Sequence, residues 1–178
     1  MSETPMGACC PAIVDTQRLA AVARIAAEAH VPHQNLDALA RLTAFAFKAP
    51  ICVISLVEED RVRFIGKFGL DAEYADHEDA ICTHVVCSDK PMELLNLSVD
   101  EDFKSHPVCV GEPFVRAYCG HPIRSPEGLP VGAIAIVDTA PFFRFSESER
   151  AALQAAASVV ERLLFGEALD AVHSDAAE

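Results

Sequence analysis

The run Ile51-Cys52-Val53-Ile54-Ser55-Leu56-Val57, followed by the acidic turn Glu58-Glu59-Asp60 and then by Val62-Arg63-Phe64-Ile65-Gly66-Lys67-Phe68, decides the fold class of this chain. Its first seven residues are apolar on both faces and rich in β-branched side chains, the signature of a central strand covered front and back. Beyond the turn, Val62, Phe64, Gly66 and Phe68 alternate with Arg61, Arg63, Ile65 and Lys67, which predicts a half-exposed strand paired with the first as a hairpin.

Working outward, the segment before this hairpin has a helical period. Asp15 or Thr16 is placed to cap a helix carrying Leu19, Val22, Ala23 and Ala26 on one face and ending near His30 and Pro32. A second helix, with Asn35 as its cap, carries Leu36, Leu39, Ala40, Thr43 and Phe47 and stops before Pro50. After the hairpin the chain is acidic and irregular from Gly69 to Asp79, with a short helix expected over 80–87, a strand over 91–97 and a helical turn over 100–105. Residues 116–123 and 131–137 read as two strands joined by the turn Ser125-Pro126-Glu127-Gly128. Phe142-Phe143-Arg144-Phe145 reads as a core staple. Ser146 to Glu149 forms the capping box S-x-x-E, which opens a long helix with Leu153, Ala157, Val160 and Leu164 on one stripe. Short connections within the strand pairs argue for an α+β arrangement, an antiparallel sheet with helices against it. One domain is expected over 15–168, between flexible tails at 1–14 and 169–178.

Composition narrows the function. The chain has 178 residues, and 14 Lys and Arg against 27 Asp and Glu give a net charge of −13. This acidic balance, without a basic stripe, argues against nucleic acid and anionic membrane surfaces as partners. No stretch approaches the roughly 18 apolar residues of a membrane span, and Met1-Ser2-Glu3-Thr4-Pro5 does not read as a signal peptide, so a cytoplasmic location is expected. In that compartment the seven cysteines, Cys9, Cys10, Cys52, Cys82, Cys87, Cys109 and Cys119, should be thiols, with Cys9 and Cys10 in the tail.

The order of elements resembles a GAF domain, the small-molecule sensory module of bacterial signalling proteins. The resemblance rests on Ala49-Pro50 leading into the 51–57 strand, on Glu59-Asp60-Arg61 and Lys67-Phe68-Gly69-Leu70, on Ile81-Cys82-Thr83-His84-Val85, and on Phe103 with Pro107. It continues through Arg116-Ala117-Tyr118-Cys119-Gly120 to Gly132-Ala133-Ile134-Ala135-Ile136-Val137-Asp138 and the capped C-terminal helix. It implies a central antiparallel sheet of five to six strands, with the N- and C-terminal helices on one face and a loop and helix roof, residues 70–115, over a ligand pocket on the other. Domains of this kind bind ligands as different as cyclic nucleotides, haem, bilins, 2-oxo acids and amino-acid derivatives, so family membership does not choose a ligand, and the cofactor stays unknown.

The candidate ligand contacts are Cys82, His84, Cys109, Tyr118, Cys119 and His121. Cys82 and His84 either face the pocket or pack as a small apolar thiol and a loop-bonded imidazole. On a strand, Cys119 and His121 share one face with Gly120 leaving room on the other, and that face is either the pocket or the helices. Cys82, His84, Cys119 and His121 together would supply soft ligands for a metal- or redox-sensing site, although C-x-H spacing matches no closed zinc motif. The free methionine-(R)-sulfoxide reductases are also single GAF domains, and Cys82 and Cys109 resemble two of their thiol positions, while Ala135 stands where an acid would be expected and only Asp138 is near. A catalytic pair would need to approach within bridging distance. With no output segment read after the domain, a signal is expected to leave through a partner protein, and the stripes of the terminal helices are available for a homodimer.

Overall fold

The computed structural model describes residues 10–27, 33–142 and 144–175, and the side chains of these except Ala26, Ala27, His33 and residues 167–175. Two helices, α1 (Thr16–Ala27) and α2 (His33–Phe47), precede β1 (Ile51–Val57) and β2 (Val62–Phe68). A two-residue β3 (Tyr74–Ala75), the short α3 (Ile81–Ser88), β4 (Met92–Leu94) and the single turn α4 (Pro107–Val110) make up the irregular middle. The chain then returns through β5 (Ala117–Arg124) and β6 (Pro130–Asp138) to α5 (Glu147–Asp175). The six strands form one antiparallel sheet in the order β3-β2-β1-β6-β5-β4. The expected α+β class and sheet are therefore present, and β1 lies in the middle, buried along its whole length.

The caps show how local chemistry sets the boundaries. Asp15 Oδ1 accepts from Arg18 N–H at 2.7 Å, one of the two caps expected for α1. The expected capping box is reciprocal, Glu149 N–H donating to Ser146 Oγ at 3.2 Å and Ser146 N–H to Glu149 Oε2 at 2.7 Å. α2 begins at His33, so Asn35 lies inside its first turn and is not the cap. That helix ends with Lys48 at φ 55°, Lys48 N–H bonding Phe45 O and Ala49 N–H bonding Ala44 O, a left-handed stop just ahead of Pro50.

Two apolar layers lie on opposite sides of the sheet. Behind it, Val22 and Ile25 of α1, Leu36 and Ala40 of α2, and Leu153, Ala157, Val160 and Leu164 of α5 bury Cys52, Ile54, Leu56, Ile134 and Ile136. Each such large side chain contributes about 1.5–3 kcal/mol on burial. Of the stripes read as available for a dimer, Val22 of α1 and Leu153, Ala157, Val160 and Leu164 of α5 are buried against the chain's own sheet, while Leu19 is half-buried; Ala26, the end of α1 near His30 and Pro32, and Phe143 lie outside the described residues or side chains. Phe142 and Phe145 pack with their rings tilted and 4.9 Å between centroids, against the rear core, as the staple reading expects.

The half-exposed alternation read along β2 does not hold from end to end. A bulge shifts the register between Ile54/Ser55 of β1 and Gly66/Phe64 of β2, so Val62 and Phe64 join the front layer while Ile65 and Phe68 join the rear one. One extra residue re-aims every side chain after it.

The 1–14 tail reading also needs correction for the residues described. Ile13 is buried in the front layer, and Cys10 is joined to Cys87 at the end of α3 by a disulfide whose Cα atoms are 6.1 Å apart. Arg18, 1% exposed, donates to Ala12 O at 2.6 Å, Ile13 O at 2.7 Å and Val57 O at 2.6 Å, fastening this segment to the end of β1. The expectation of seven thiols fails because spacing in sequence does not say that two sulfurs 77 positions apart are folded together. Cys9 and residues 176–178 lie outside the described residues, and α5 continues to Asp175, into the segment read as a tail.

Candidate ligand-binding site

In front of the sheet lies a cavity of about 250 Å³. Its floor is Ile51 and Val53 of β1, Phe64 of β2, Tyr118 of β5 and Val137 of β6. These residues face forward because each strand alternates, and their rear-facing neighbours fill the other layer. The roof comes from Ile81 and Cys82 of α3, Val108 of α4 and Val115, and the mouth from Leu70, Ala72, Asp79, Glu112 and Pro113. All of these roof and mouth residues lie within 70–115, the segment expected to cover a pocket.

Tyr118 is 2% exposed, and its hydroxyl donates to Cys82 Sγ at 3.4 Å. It lies across Gly120, where an added Cβ would stand 2.5 Å from the Tyr118 hydroxyl oxygen and 2.7 Å from Cε1. Gly120 is therefore the space that lets the ring lie flat, on the side that the sequence reading left open. Ser55, the one polar residue of β1, donates to Ala133 O at 3.2 Å and also bonds the Cys82 thiol. Burial pushes the Cys82 thiol up, outweighing these hydrogen bonds, and the Tyr118 hydroxyl is held well above its usual value by burial and the neighbouring sulfur. The group is a neutral, buried hydrogen-bonded cluster and not a primed nucleophile.

Of the six candidates, Cys82 and Tyr118 line the cavity. His84 does not; its half-buried ring sits beside Phe103 at 5.1 Å and His106 at 6.1 Å, with burial lowering the pKa of both imidazoles. His106, which sequence reasoning passed over, is 3% exposed and caps α4 by accepting from Val108 N–H at 3.4 Å, leaving its buried Nε2 without a hydrogen-bond partner among the described residues. Cys109 is buried in the front layer beside the cavity, its sulfur 3.7 Å from Arg116 Nη1, and it does not line the space.

Cys119 and His121 face the helices. Cys119 packs in the rear layer under the Glu93–Arg150 ion pair, its thiol pushed up to about 12, first by burial and then by Glu93. His121, two residues on and on the same face, is half-buried and bonds its own neighbour's carbonyl, Pro122 O, at 3.0 Å. The set Cys82, His84, Cys119 and His121 is thus divided by the sheet and cannot converge on one ion. Among the described residues no three His, Cys, Asp or Glu side chains gather into a metal-holding group. Cys82 and Cys109 are separate free cysteines, and the joined pair is Cys10 and Cys87. Asp79 and Glu112, the only charged residues at the mouth among those described, stand in irregular stretches where no periodicity marks them out.

No helix among the described residues is long and apolar enough to cross a membrane. A cyclic di-GMP phosphodiesterase of Pseudomonas aeruginosa is 30% identical over 124 residues, 70% of this chain, and the chain spans only 21% of that relative's length. Among solved structures, the GAF domain of an Acinetobacter phosphoenolpyruvate-protein phosphotransferase superposes with a TM-score of 0.63 at 22% identity, covering 83% of this chain and 90% of its own. The free methionine-R-sulfoxide reductase of Neisseria meningitidis superposes with a TM-score of 0.62 at 18% identity, covering 96% and 98%. At those identities the likeness is one of fold. Residues 31–164 match the GAF domain family over most of the chain, from α2 to the middle of α5, and the chain belongs to that family.

Proposed function

We propose that this chain is a sensory GAF domain that binds a small molecule in the cavity between the sheet and the 70–115 roof and passes its bound state to a partner protein. The observation that carries the reading is the cavity itself: about 250 Å³ of space lined mostly by apolar side chains from five strands and α3, with only a few polar groups turned toward it. A well-packed interior leaves few voids larger than a water, so a space this size is a ligand site in waiting. Ligand contacts on both floor and roof would favour one arrangement of the roof over others, which is the differential affinity that a signal requires.

Native mass spectrometry of freshly purified protein tests this. A retained small molecule is expected, and it should be lost in Val53→Trp, where the indole fills the cavity from its floor. A protein that is empty as purified and binds no member of a small-molecule library at this site would overturn the reading. The thiol-reductase reading finds less support, because burial disfavours the Cys82 thiolate and Cys109 lies outside the cavity wall. Under our reading, free methionine-(R)-sulfoxide incubated with a dithiol reductant and this protein stays unconsumed.

A further inference from the structure

The charge around the cavity is one-sided. Two carboxylates, Asp79 and Glu112, stand at its mouth, and among the described residues no Lys, Arg or His lines it. The cations close by already have partners. Lys67 Nζ donates to Asp71 O and Ala72 O, both at 3.0 Å. Arg116 Nη1 donates to the carbonyls of Cys109, Phe114 and Val115 at 2.9–3.1 Å. Arg61 lies 4.3 Å over the Tyr74 ring at the rim and is paired with Glu58 at 3.0 Å.

The interior agrees with the rim. The Tyr118 hydroxyl proton is used on Cys82, so what the phenol offers a ligand is an oxygen lone pair, an acceptor. α3 opens on the cavity, and the start of a helix ordinarily welcomes anions. Here, however, Ala80 N–H bonds His77 O and Thr83 N–H bonds Ala80 O, so two of the donors around its start are already used. An anion entering this site would meet two carboxylates and few free donors, whereas an ammonium would meet acceptors and aromatic faces. The volume, about 250 Å³, is roughly eight waters' worth of space, which limits the guest to a small molecule.

Resting on the reading of this cavity as a ligand site, we propose that it takes a small apolar molecule carrying one positive charge, an aralkyl or alkyl amine, with its apolar body under α3 and its charge facing Asp79 and Glu112. Phenethylamine, 2-phenylethanol and phenylacetate share one skeleton and differ in charge, and toluene reports on the cavity alone. Titrated by calorimetry or by protein-observed NMR, the amine should bind more tightly than the alcohol, and the alcohol more tightly than the acid, with about tenfold or more between the ends of the series. In Asp79→Asn/Glu112→Gln, both replacements being exposed and isosteric, the melting temperature should hold while the amine's advantage collapses toward that of the alcohol. Phenylacetate binding as tightly as the amine, or an amine preference that survives the double substitution, would overturn the charge inference and leave the cavity reading standing, provided toluene binds. Failure of both toluene and the amine to bind would overturn the two together.

Discussion

The two faces of the sheet are built from the same strands and are used in opposite ways. Neighbouring residues show it: Ile136 points back into a layer sealed by α1, α2 and α5, while Val137 points forward and lines an open cavity. The rear is continuous helix, regular and almost wholly apolar. The front is covered by short helices and loops, and polar groups are buried or half-buried on both sides of it, Ser55 and Tyr118 on the strands and His84 and His106 in the roof. The difference teaches where stability and function are separated in this fold. One face closes on itself and covers the sheet, and the other is left short of closure around a cavity.

The largest expected effect breaks the sealed face. Ile136→Ala should destabilise the protein by about 4 kcal/mol in urea unfolding, because a tightly covered site cannot collapse around the missing atoms. The adjacent Val137→Ala, on a wall that already borders empty space, should cost under about 1 kcal/mol. Equal losses at the two positions would erase the contrast. Next, reducing the Cys10–Cys87 disulfide with a dithiol should lower stability by about 2–4 kcal/mol, read as a shift of the urea midpoint that is absent in Cys87→Ser. Gly120→Ala is expected to cost about 1–2 kcal/mol by driving a methyl into the Tyr118 ring. With no tryptophan and only two tyrosines in the chain, near-ultraviolet dichroism should report that displacement directly.

The smallest effect should come from acid. His84 and His106 both have native pKa values lowered from 6.5, chiefly by burial, with Asp102 and Asp79 respectively pulling the other way. The unfolded chain therefore takes up protons on these groups before the native one does. Stability should be full above about pH 6.5 and fall as the pH drops from there toward the depressed native values. In His84→Gln/His106→Gln this part of the slope should flatten, and the loss should appear first as faster amide exchange in α3 and α4, leaving α5 protected.

The rear face was the more legible in the sequence, for a physical reason. Helical stripes such as Leu153-Ala157-Val160-Leu164 and the S-x-x-E cap are local patterns, and regular helices keep them in phase from end to end. The front depends on departures from pattern. The bulge opposite Ile54/Ser55 turns β2 over midway, so an alternation that reads as one strand face serves both layers. The face taken by Cys119 and His121 depends on the register of β5 against β6, which those residues alone do not reveal. Cys82 and Tyr118 could be named because they sit in characteristic phrases, while Asp79 and Glu112 reach the mouth only through the path of irregular loops.

The bond between Cys10 and Cys87 has one more consequence. It closes the chain from the segment before α1 to the end of α3 into a single covalent ring, enclosing both N-terminal helices and the central hairpin. A protease that cuts once anywhere inside that ring, for instance at the turn Glu58-Glu59-Asp60, releases nothing. The two pieces migrate together on a gel until a reductant is added, so a single nick is invisible without dithiol and plain with it.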